Sequence, residues 1–482
     1  MAQVKREKWS KRFGEWYRKV LINAELMDYR YPIKGCGVWL PYGFKVRRNV
    51  LQVLRDLLDA TGHHEALFPL MIPETALAKE SSHVKSFEEE CFWVTHGGTE
   101  PLEIKYALRP TSETAVAPML KLWIRSHKDL PLKLYQVVNV FRYETRATRP
   151  TIRMREVSTF KEAHTSHATF EDAEAQVKEA VEIYRGFFDA LGVPYCITKR
   201  PEWDKFPGAL YSVAFDTICP DGRSLQIGTV HNLGQNFSKA FEITYETEKG
   251  NQEHIWQTCY GISERGIAAM LSVHGDDNGI VLPPRIAPIQ VIIIPIPHKD
   301  KEKEEAIIKN CKNIAAKLKK AGINAKEDFR PDVTPGSKYY DWELRGVPIR
   351  IEIGPRDLEK NEVTIVRRDT FERQSFKIDS VETAVKELME KITIDIQQKA
   401  WQWMSQHIYR VNSLEEASKL LKKRAGIIEA LWCGNPECGH KLEEEVNARV
   451  LGIPQDLEEK IDGKCVACGK KAEDLLRAAI AY

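Results

Sequence analysis

The alternation of apolar and polar residues divides the chain into three stretches with different periods. In the first, residues 134–141 form an almost continuous apolar run, which leads into an arginine-rich stretch and returns at residues 157–160. This pattern predicts two antiparallel strands joined by a long loop. Residues 225–228 and 241–245 add strands, and residues 45–60 and 171–191 add helices. A mixed α+β unit on an antiparallel sheet follows from this alternation.

Between Asn278 and Pro288 three prolines fall in eleven residues, which excludes continuous helix or central strand and predicts a linker. Behind it, residues 289–294 are a short buried-type strand. Residues 301–321 carry Ile307, Ile308, Cys311, Ile314, Ala315 and Leu318 at helical spacing, with Gly322 as the stop. Val347, Ile349, Ile351 and Ile353 alternate with Pro348, Arg350 and Glu352, the period of a half-buried strand. A further strand at 362–368 and a closing helix at 380–396 complete a compact α/β unit. From about residue 397 the pattern changes again. Trp401 and Trp403 precede a Leu-rich helix ending near Lys423, and a small cysteine-bearing α+β unit follows. The expected domains are therefore 1–282, 283–395 and 396–482. There is no internal repeat at a period of about 20–50 residues.

A length of 482 residues agrees with about three domains at roughly 150 residues each. Apolar residues make up 43%, enough for real cores, which excludes a largely disordered chain. Lys+Arg number 71 against Asp+Glu 69, so a strongly basic nucleic-acid coat is excluded while local basic grooves are not. The longest apolar stretch, residues 286–297, is broken by three prolines and falls short of the roughly 20 residues a membrane helix needs. The N-terminus runs into charged and aromatic residues without an apolar signal region, and ten cysteines in so long a chain make no disulfide framework. Both point to the cytoplasm.

Two clusters carry chemistry. Residues 142–155 hold five arginines (142, 146, 149, 153 and 155) and one acid, Glu144. On a strand Arg142 and Glu144 share one face, with Phe141 and Tyr143 on the other. A guanidinium is always charged and forks onto phosphate oxygens, so that face suits a phosphate with developing negative charge. Near the C-terminus, Cys433 and Cys438 form C-x4-C, and Cys465 and Cys468 form C-x2-C after 26 intervening residues. Paired spacings of this kind suit a tetrahedral, closed, structural Zn²⁺ site. His440 is surplus to it. The other cysteines (36, 91, 196, 219, 259 and 311) have no metal spacing and are expected in cores.

Three segments then stand in order. A helix at 45–60 ends in Thr61-Gly62-His63-His64-Glu65-Ala66-Leu67-Phe68-Pro69-Leu70-Met71-Ile72-Pro73. Phe141-Arg142-Tyr143-Glu144 is followed by a loop and Phe160-Lys161-Glu162. Tyr260-Gly261-Ile262-Ser263-Glu264-Arg265 opens an apolar helix. This order resembles motifs 1, 2 and 3 of the class II aminoacyl-tRNA synthetases. Arg109-Pro110-Thr111-Ser112-Glu113, Thr145-Arg146-Ala147-Thr148-Arg149-Pro150 and the stretch Gln226-Ile227-Gly228-Thr229-Val230-His231 narrow the resemblance to the prolyl-tRNA synthetase family.

The resemblance implies proline activation with ATP and Mg²⁺, then transfer to tRNA(Pro), by a homodimer built through motif 1. It implies that Arg142 holds the α-phosphate and the amino-acid carboxylate, and that Glu144 meets the adenine amino group. Arg153 and Arg265 would neutralise the β- and γ-phosphates, and Gln226 and Thr229 would line the ribose side. Thr111, Glu113, Phe160, Glu162, His164 and His231 would surround the proline ring and its ammonium. Thr111 to Thr114 would also cap a helix. Residues 288–395 would be an anticodon-binding domain, with Glu343 and Arg350 reading bases. A terminal Tyr482 would return toward the active site. The stretch between His167 and Gln226 is too short for an editing insertion. A threonyl-type enzyme is the nearest rival; it would need a Cys/His set in the pocket to hold zinc, and no such set is visible in the sequence. A synthetase-like regulatory or RNA-binding chain that no longer charges tRNA is the rival from another class.

Overall fold

A computed structural model describes residues 7–79, 90–424 and 426–482; the first six residues of the charged N-terminal stretch lie outside it. Helix α1 (Pro41–Ala60) enters with Pro41 in its first turn, where a missing N–H is harmless. It turns Val46, Val50, Leu54 and Leu58 inward. Strand β1 (His64–Glu65) follows and pairs in parallel with β2 (Leu132–Phe141). Helix α2 (Glu113–Trp123) lies between them in sequence. Strand β3 (Glu156–His167) returns antiparallel to β2, with Val138 opposite Phe160, so the two predicted strands and their long loop are found. Helix α3 (Phe170–Ala190) starts on Thr169, whose hydroxyl accepts the Asp172 N–H at 3.1 Å.

Strands β4 (Cys196–Lys199), β5 (Tyr211–Ile218), β6 (Ser224–Gly234) and β7 (Trp256–Ser263) extend the sheet, and helix α4 (Arg265–His274) leaves its end. Phe241 caps a short helix, so the strand expected at 241–245 begins only at Thr244. Helices α1, α3 and α4 pack Leu54, Leu58, Tyr184, Phe187, Phe188 and Leu271 against one face of this sheet. The expected linker at 278–288 is irregular but not exposed: Ile280, Leu282, Ile286 and Ala287 are buried in that same core.

The second unit holds β8 (Val291–Pro295), helix α5 (Lys301–Lys320), β9 (Ala325–Glu327), helix α6 (Pro335–Leu344), β10 (Ile349–Ile353), β11 (Glu362–Arg367) and β12 (Arg373–Lys377). Its order is β9-β8-β10-β11-β12, with parallel pairs at one side and antiparallel pairs at the other. Strand β10 departs from the half-buried expectation. It is central, and Arg350 and Glu352 are buried at 9% and 5% exposure alongside the isoleucines. Helix α7 (Val381–Ser405) runs unbroken through residue 395, so the expected boundary falls inside a helix.

The last unit contributes β13 (Ile408–Val411), helix α8 (Leu414–Lys422), β14 (Ile427–Trp432), helix α9 (Pro436–Val446), β15 (Arg449–Pro454) and β16 (Asp474–Ala479). These strands do not form a separate sheet. Ile453 and Pro454 of β15 pair with Lys199 and Thr198 of β4. Among the described residues one eleven-stranded sheet results, in the order β13-β14-β16-β15-β4-β5-β6-β7-β3-β2-β1. The seam needs Gly452, which has φ +123°, because a Cβ there would sit 2.2 Å from the Lys199 carbonyl oxygen. No helix among the described residues is long and apolar enough to cross a membrane.

Candidate active site

A cavity of about 290 Å³ opens over the face of β3, β6 and β7 opposite the helices. The strand β2 ends at Phe141, so Arg142 and Glu144 stand beyond its last pair rather than on a strand face. Other bonds hold them. Arg142 takes the Arg155 carbonyl with its backbone N–H at 2.8 Å, and its Nε donates to Pro110 O at 3.0 Å. Its guanidinium lies 5.5 Å from the Phe160 ring centre. Arg155 does not face the cavity; it donates to the Glu144 carbonyl and covers the Tyr143 ring at 4.1 Å, which fixes the loop.

Arg265, the first residue of α4, reaches across to donate from Nε to Ile152 O at 2.7 Å. Burial, then the charges of Arg142 and Arg153, lower its pKa to about 10. Arg142, Arg153 and Arg265 thus line one cavity and repel one another, a field that a polyanion would relieve. Glu144, Gln226 and Thr229 line the same cavity, as the resemblance implies.

Glu264 precedes Arg265 and is buried, with Oε1 unpartnered and Oε2 receiving the Ser158 hydroxyl at 3.2 Å. Burial pushes its carboxyl up to about 8 from 4.5. Between those values the folded chain keeps a proton that the unfolded chain has released, so stability falls as pH rises through the window. Glu264→Gln is expected to remove that slope. Its stability advantage over the parent in thermal or denaturant unfolding grows from about pH 5 to pH 8, on the order of a few kcal/mol. An advantage that does not change with pH would rule out this assignment.

The deeper end is acidic. Thr111 Oγ1 donates to Glu113 Oε2 at 2.5 Å and to Glu162 Oε1 at 3.1 Å. Ser112 Oγ donates to Glu162, and Gln136 Nε2 donates to Ser112 Oγ at 2.9 Å. The expected cap is therefore not used as a cap: Ser112 occupies the position before α2, but its side chain serves Glu162. His231 is hydrogen-bonded to Ser212 Oγ at 2.7 Å and to Thr229 Oγ1 at 3.0 Å. Burial lowers its pKa to about 4, so the ring is neutral near pH 7. Two buried carboxyls within reach of Arg142 suit a small zwitterion, the cation against Glu113 and Glu162 and the carboxylate against the guanidinium.

His164 is not in the cavity wall. It is buried beside Glu113 and Cys259, and its Nε2 has no hydrogen-bond partner. Cys259, expected as core, does line the cavity and donates from Sγ to Glu113 Oε1 at 3.0 Å. The fold thus brings Glu113, His164 and Cys259 together, with one ligand atom of each within 4.8 Å of the others. The expectation that the pocket holds no Cys/His set is corrected. The three come from α2, β3 and β7, and no sequence spacing announces them.

The sequence reading also missed Arg449 and Asp204. They meet over the cavity rim at 2.6 Å, brought together by the β15–β4 pairing. Tyr482 does return: its hydroxyl donates to Asp221 at 2.8 Å, and Arg149 and Arg223 lie 4.7 and 5.2 Å from its ring. It lines a second, arginine-rich cavity that shares Arg153 and Arg449 with the first.

In the second unit, Arg350 Nη1 donates to Glu343 at 2.9 Å, its Nε donates to Glu352 at 2.9 Å, and Tyr339 lies under its guanidinium at 4.0 Å. This is a buried network rather than a solvated sheet face, and it is apart from the cavity.

At the far end, Cys433, Cys438, Cys465 and Cys468 place their sulfurs within 4.8 Å of one another, with two separations of 3.6 and 3.7 Å. A tetrahedral Zn²⁺ with Zn–S of about 2.3 Å requires sulfurs roughly 3.8 Å apart. The donor set fits the ion. The Lys470 N–H holds the Cys468 thiol below its ordinary value. His440 turns away to Trp203 and Glu443.

Residues 92–274 match the family model of the class II tRNA synthetase core domain (G, H, P, S and T). Residues 290–388 match the anticodon binding domain, and residues 414–482 match the prolyl-tRNA synthetase C-terminal domain. The chain is 55% identical over 482 residues to a proline--tRNA ligase of Sulfurisphaera tokodaii, covering 100% of both chains. It is 54% identical over 470 residues to that of Methanopyrus kandleri, covering 98% of this chain and 96% of the other. A solved structure titled Giardia lamblia prolyl-tRNA synthetase in complex with prolyl-adenylate superposes with a TM-score of 0.97 at 36% identity, covering 99% of this chain and 100% of that one.

Proposed function

The chain belongs to the prolyl-tRNA synthetases, and from that premise we propose how its cavity divides the work. The reaction has two steps. A carboxylate oxygen of L-proline attacks the α-phosphorus of ATP, forming prolyl-adenylate as the bond to pyrophosphate breaks. A terminal ribose hydroxyl of tRNA(Pro) then attacks the prolyl carbonyl and AMP leaves.

The first step needs position and charge rather than a side-chain nucleophile. Arg142 aligns the two reacting groups, with its fork on the α-phosphate and the proline carboxylate. Arg153 and Arg265 take the charge that accumulates on the departing pyrophosphate, and Glu144 accepts from the adenine amino group. Gln226 and Thr229 border the ribose. Glu113 and Glu162, tied by Thr111, hold the secondary ammonium. Phe160 and neutral His231 bound the ring. His164, buried beside Glu113 and Cys259, acts through them. Enzymes of this class use Mg²⁺ with ATP, which when bound neutralises phosphate charge; among the cavity's oxygen groups Gln226, Thr229 and, once its carboxyl has lost its proton, Glu264 would offer it donors. The four cysteines hold structural Zn²⁺, and Glu343 and Arg350 take part in anticodon reading.

Homodimerisation through motif 1 is supported by Leu67, Leu70 and Met71, exposed at 81%, 39% and 50% among the described residues. We place the enzyme in the cytoplasm, where translation consumes its product. The single observation that carries the site reading is the convergence of the Arg142, Arg153 and Arg265 guanidiniums with the buried carboxyls of Glu113 and Glu162 on one cavity. Amino-acid-dependent ATP–pyrophosphate exchange tests it. Exchange is expected with proline above all other amino acids. Exchange dominated by another amino acid would overturn the pocket assignment, and no exchange from folded enzyme would favour the non-charging alternative.

A further inference from the structure

We infer that the imino-acid end of the cavity is also a binding site for a thiophilic divalent cation, Zn²⁺ above all, held by Glu113, His164 and Cys259 in competition with proline. The competition rests on the assignment of Glu113 to the proline ammonium; the metal site itself does not.

The geometry is already drawn together. Cys259 and His164 are register partners on the antiparallel strands β7 and β3. Glu113, at the start of α2, lies over the pair, its Oε1 3.0 Å from the Cys259 sulfur. One ligand atom from each falls within 4.8 Å of the others, and all three residues are buried. Ligands around a tetrahedral Zn²⁺ sit roughly 3.2–3.8 Å apart, so closure needs about an ångström of side-chain movement. The unpartnered Nε2 of His164, only 6% exposed, is the independent sign of a missing partner. A buried nitrogen without one is costly, and a metal or a protonated ligand group would satisfy it.

The donor set chooses the ion. Thiolate and imidazole favour Zn²⁺ or Co²⁺ and disfavour Mg²⁺, which takes oxygen ligands. As the sulfur–metal bond forms, the thiol proton passes to solvent, and the hydrogen bond to Glu113 is replaced by shared coordination. Three protein ligands leave a fourth position open. Since Glu113 and Cys259 line the cavity, that position faces the space that proline would fill. Metal and proline then exclude each other twice, by volume and by their claim on Glu113.

The experiment uses the whole enzyme with its four-cysteine cluster already filled with Zn²⁺, titrated with Co²⁺. The expected result is one further equivalent bound, with a thiolate-to-cobalt charge-transfer absorption that added proline abolishes. In pyrophosphate exchange, Zn²⁺ raises the KM for proline and leaves kcat unchanged. Cys259→Ser, and separately His164→Gln, should weaken the extra Co²⁺ by at least about tenfold. Absence of the absorption, or its survival in Cys259→Ser, overturns the metal site and leaves the proline assignment standing. An absorption that proline does not displace overturns the shared site and counts against Glu113 as the ammonium holder.

Discussion

Replacing Arg265 with methionine is expected to lower proline-dependent pyrophosphate exchange by about 10²–10³-fold without lowering the melting temperature. The two halves of this outcome have one cause. Arg265 sits in the cavity wall, its guanidinium donating from Nε to Ile152 O, and faces the like charges of Arg142 and Arg153. Its pKa falls to about 10, well below the ordinary guanidinium value, which makes the charged form an expense of a few kcal/mol in the empty enzyme. The lost hydrogen bond restores only about 1 kcal/mol of that. Methionine therefore leaves the fold as stable or more so. What it removes is the preorganised charge that meets a phosphate chain as its bond breaks, an interaction stronger in the transition state than in the ground state. The loss should fall mainly on kcat. Arg265→Lys should recover little, because a point charge does not replace a fork. Exchange kinetics beside thermal unfolding decide the matter. Parallel loss of stability and activity would make Arg265 a structural residue, and unchanged kcat would remove it from the chemistry.

What the sequence made legible depended on how far apart the interacting residues are. Helix α5 was readable because Ile307, Cys311, Ile314 and Leu318 repeat at the helical period and all face one core. The four-cysteine cluster was readable because its spacing is local within each pair. Strand β10 was misjudged for a reason the alternation hides: charged residues alternate with isoleucines, but Arg350 and Glu352 satisfy each other and Arg373, so the strand can be covered on both faces. The motif 2 residues Arg142 and Glu144 do line the cavity, but they follow the strand end instead of sharing a strand face. Glu113, His164 and Cys259 converge from three elements, and Arg449 reaches the cavity only because β15 pairs with β4. Such juxtapositions are properties of the sheet order, to which no local period corresponds.

Sheet order also makes removal of the Zn²⁺ proposed at the four cysteines the most damaging change expected. Cys438 and Cys465 are themselves part of the last unit's core with Trp432, Leu442, Val446 and Leu476, so an ion held by the four cysteines would be continuous with the packing. Structural Zn²⁺ in small modules contributes apparent binding energies of about 10–16 kcal/mol, as large as the whole stability of a typical domain at about 5–15 kcal/mol. The damage should not stop at the module. Strand β16 lies between β14 and β15, and β15 seats on β4 of the catalytic sheet. Arg449 holds Asp204 at the cavity rim, and Gly439 lies so close to Trp203 that a Cβ would fall 2.4 Å from the ring. Chelation, or Cys468→Ser, is therefore expected to release amide protection across β14 and β16 while α1, α3 and α4 stay protected. Pyrophosphate exchange should fall at least about tenfold as the rim opens. Hydrogen exchange followed along the chain, with activity measured on the same sample, reads both. Full protection and full activity after metal removal would show that the four cysteines pack without needing an ion. Returning Zn²⁺ to the stripped enzyme should restore activity up to one equivalent and then depress it, because the second ion enters the pocket of Glu113, His164 and Cys259. Recovery that simply saturates would separate the two sites and leave only the first.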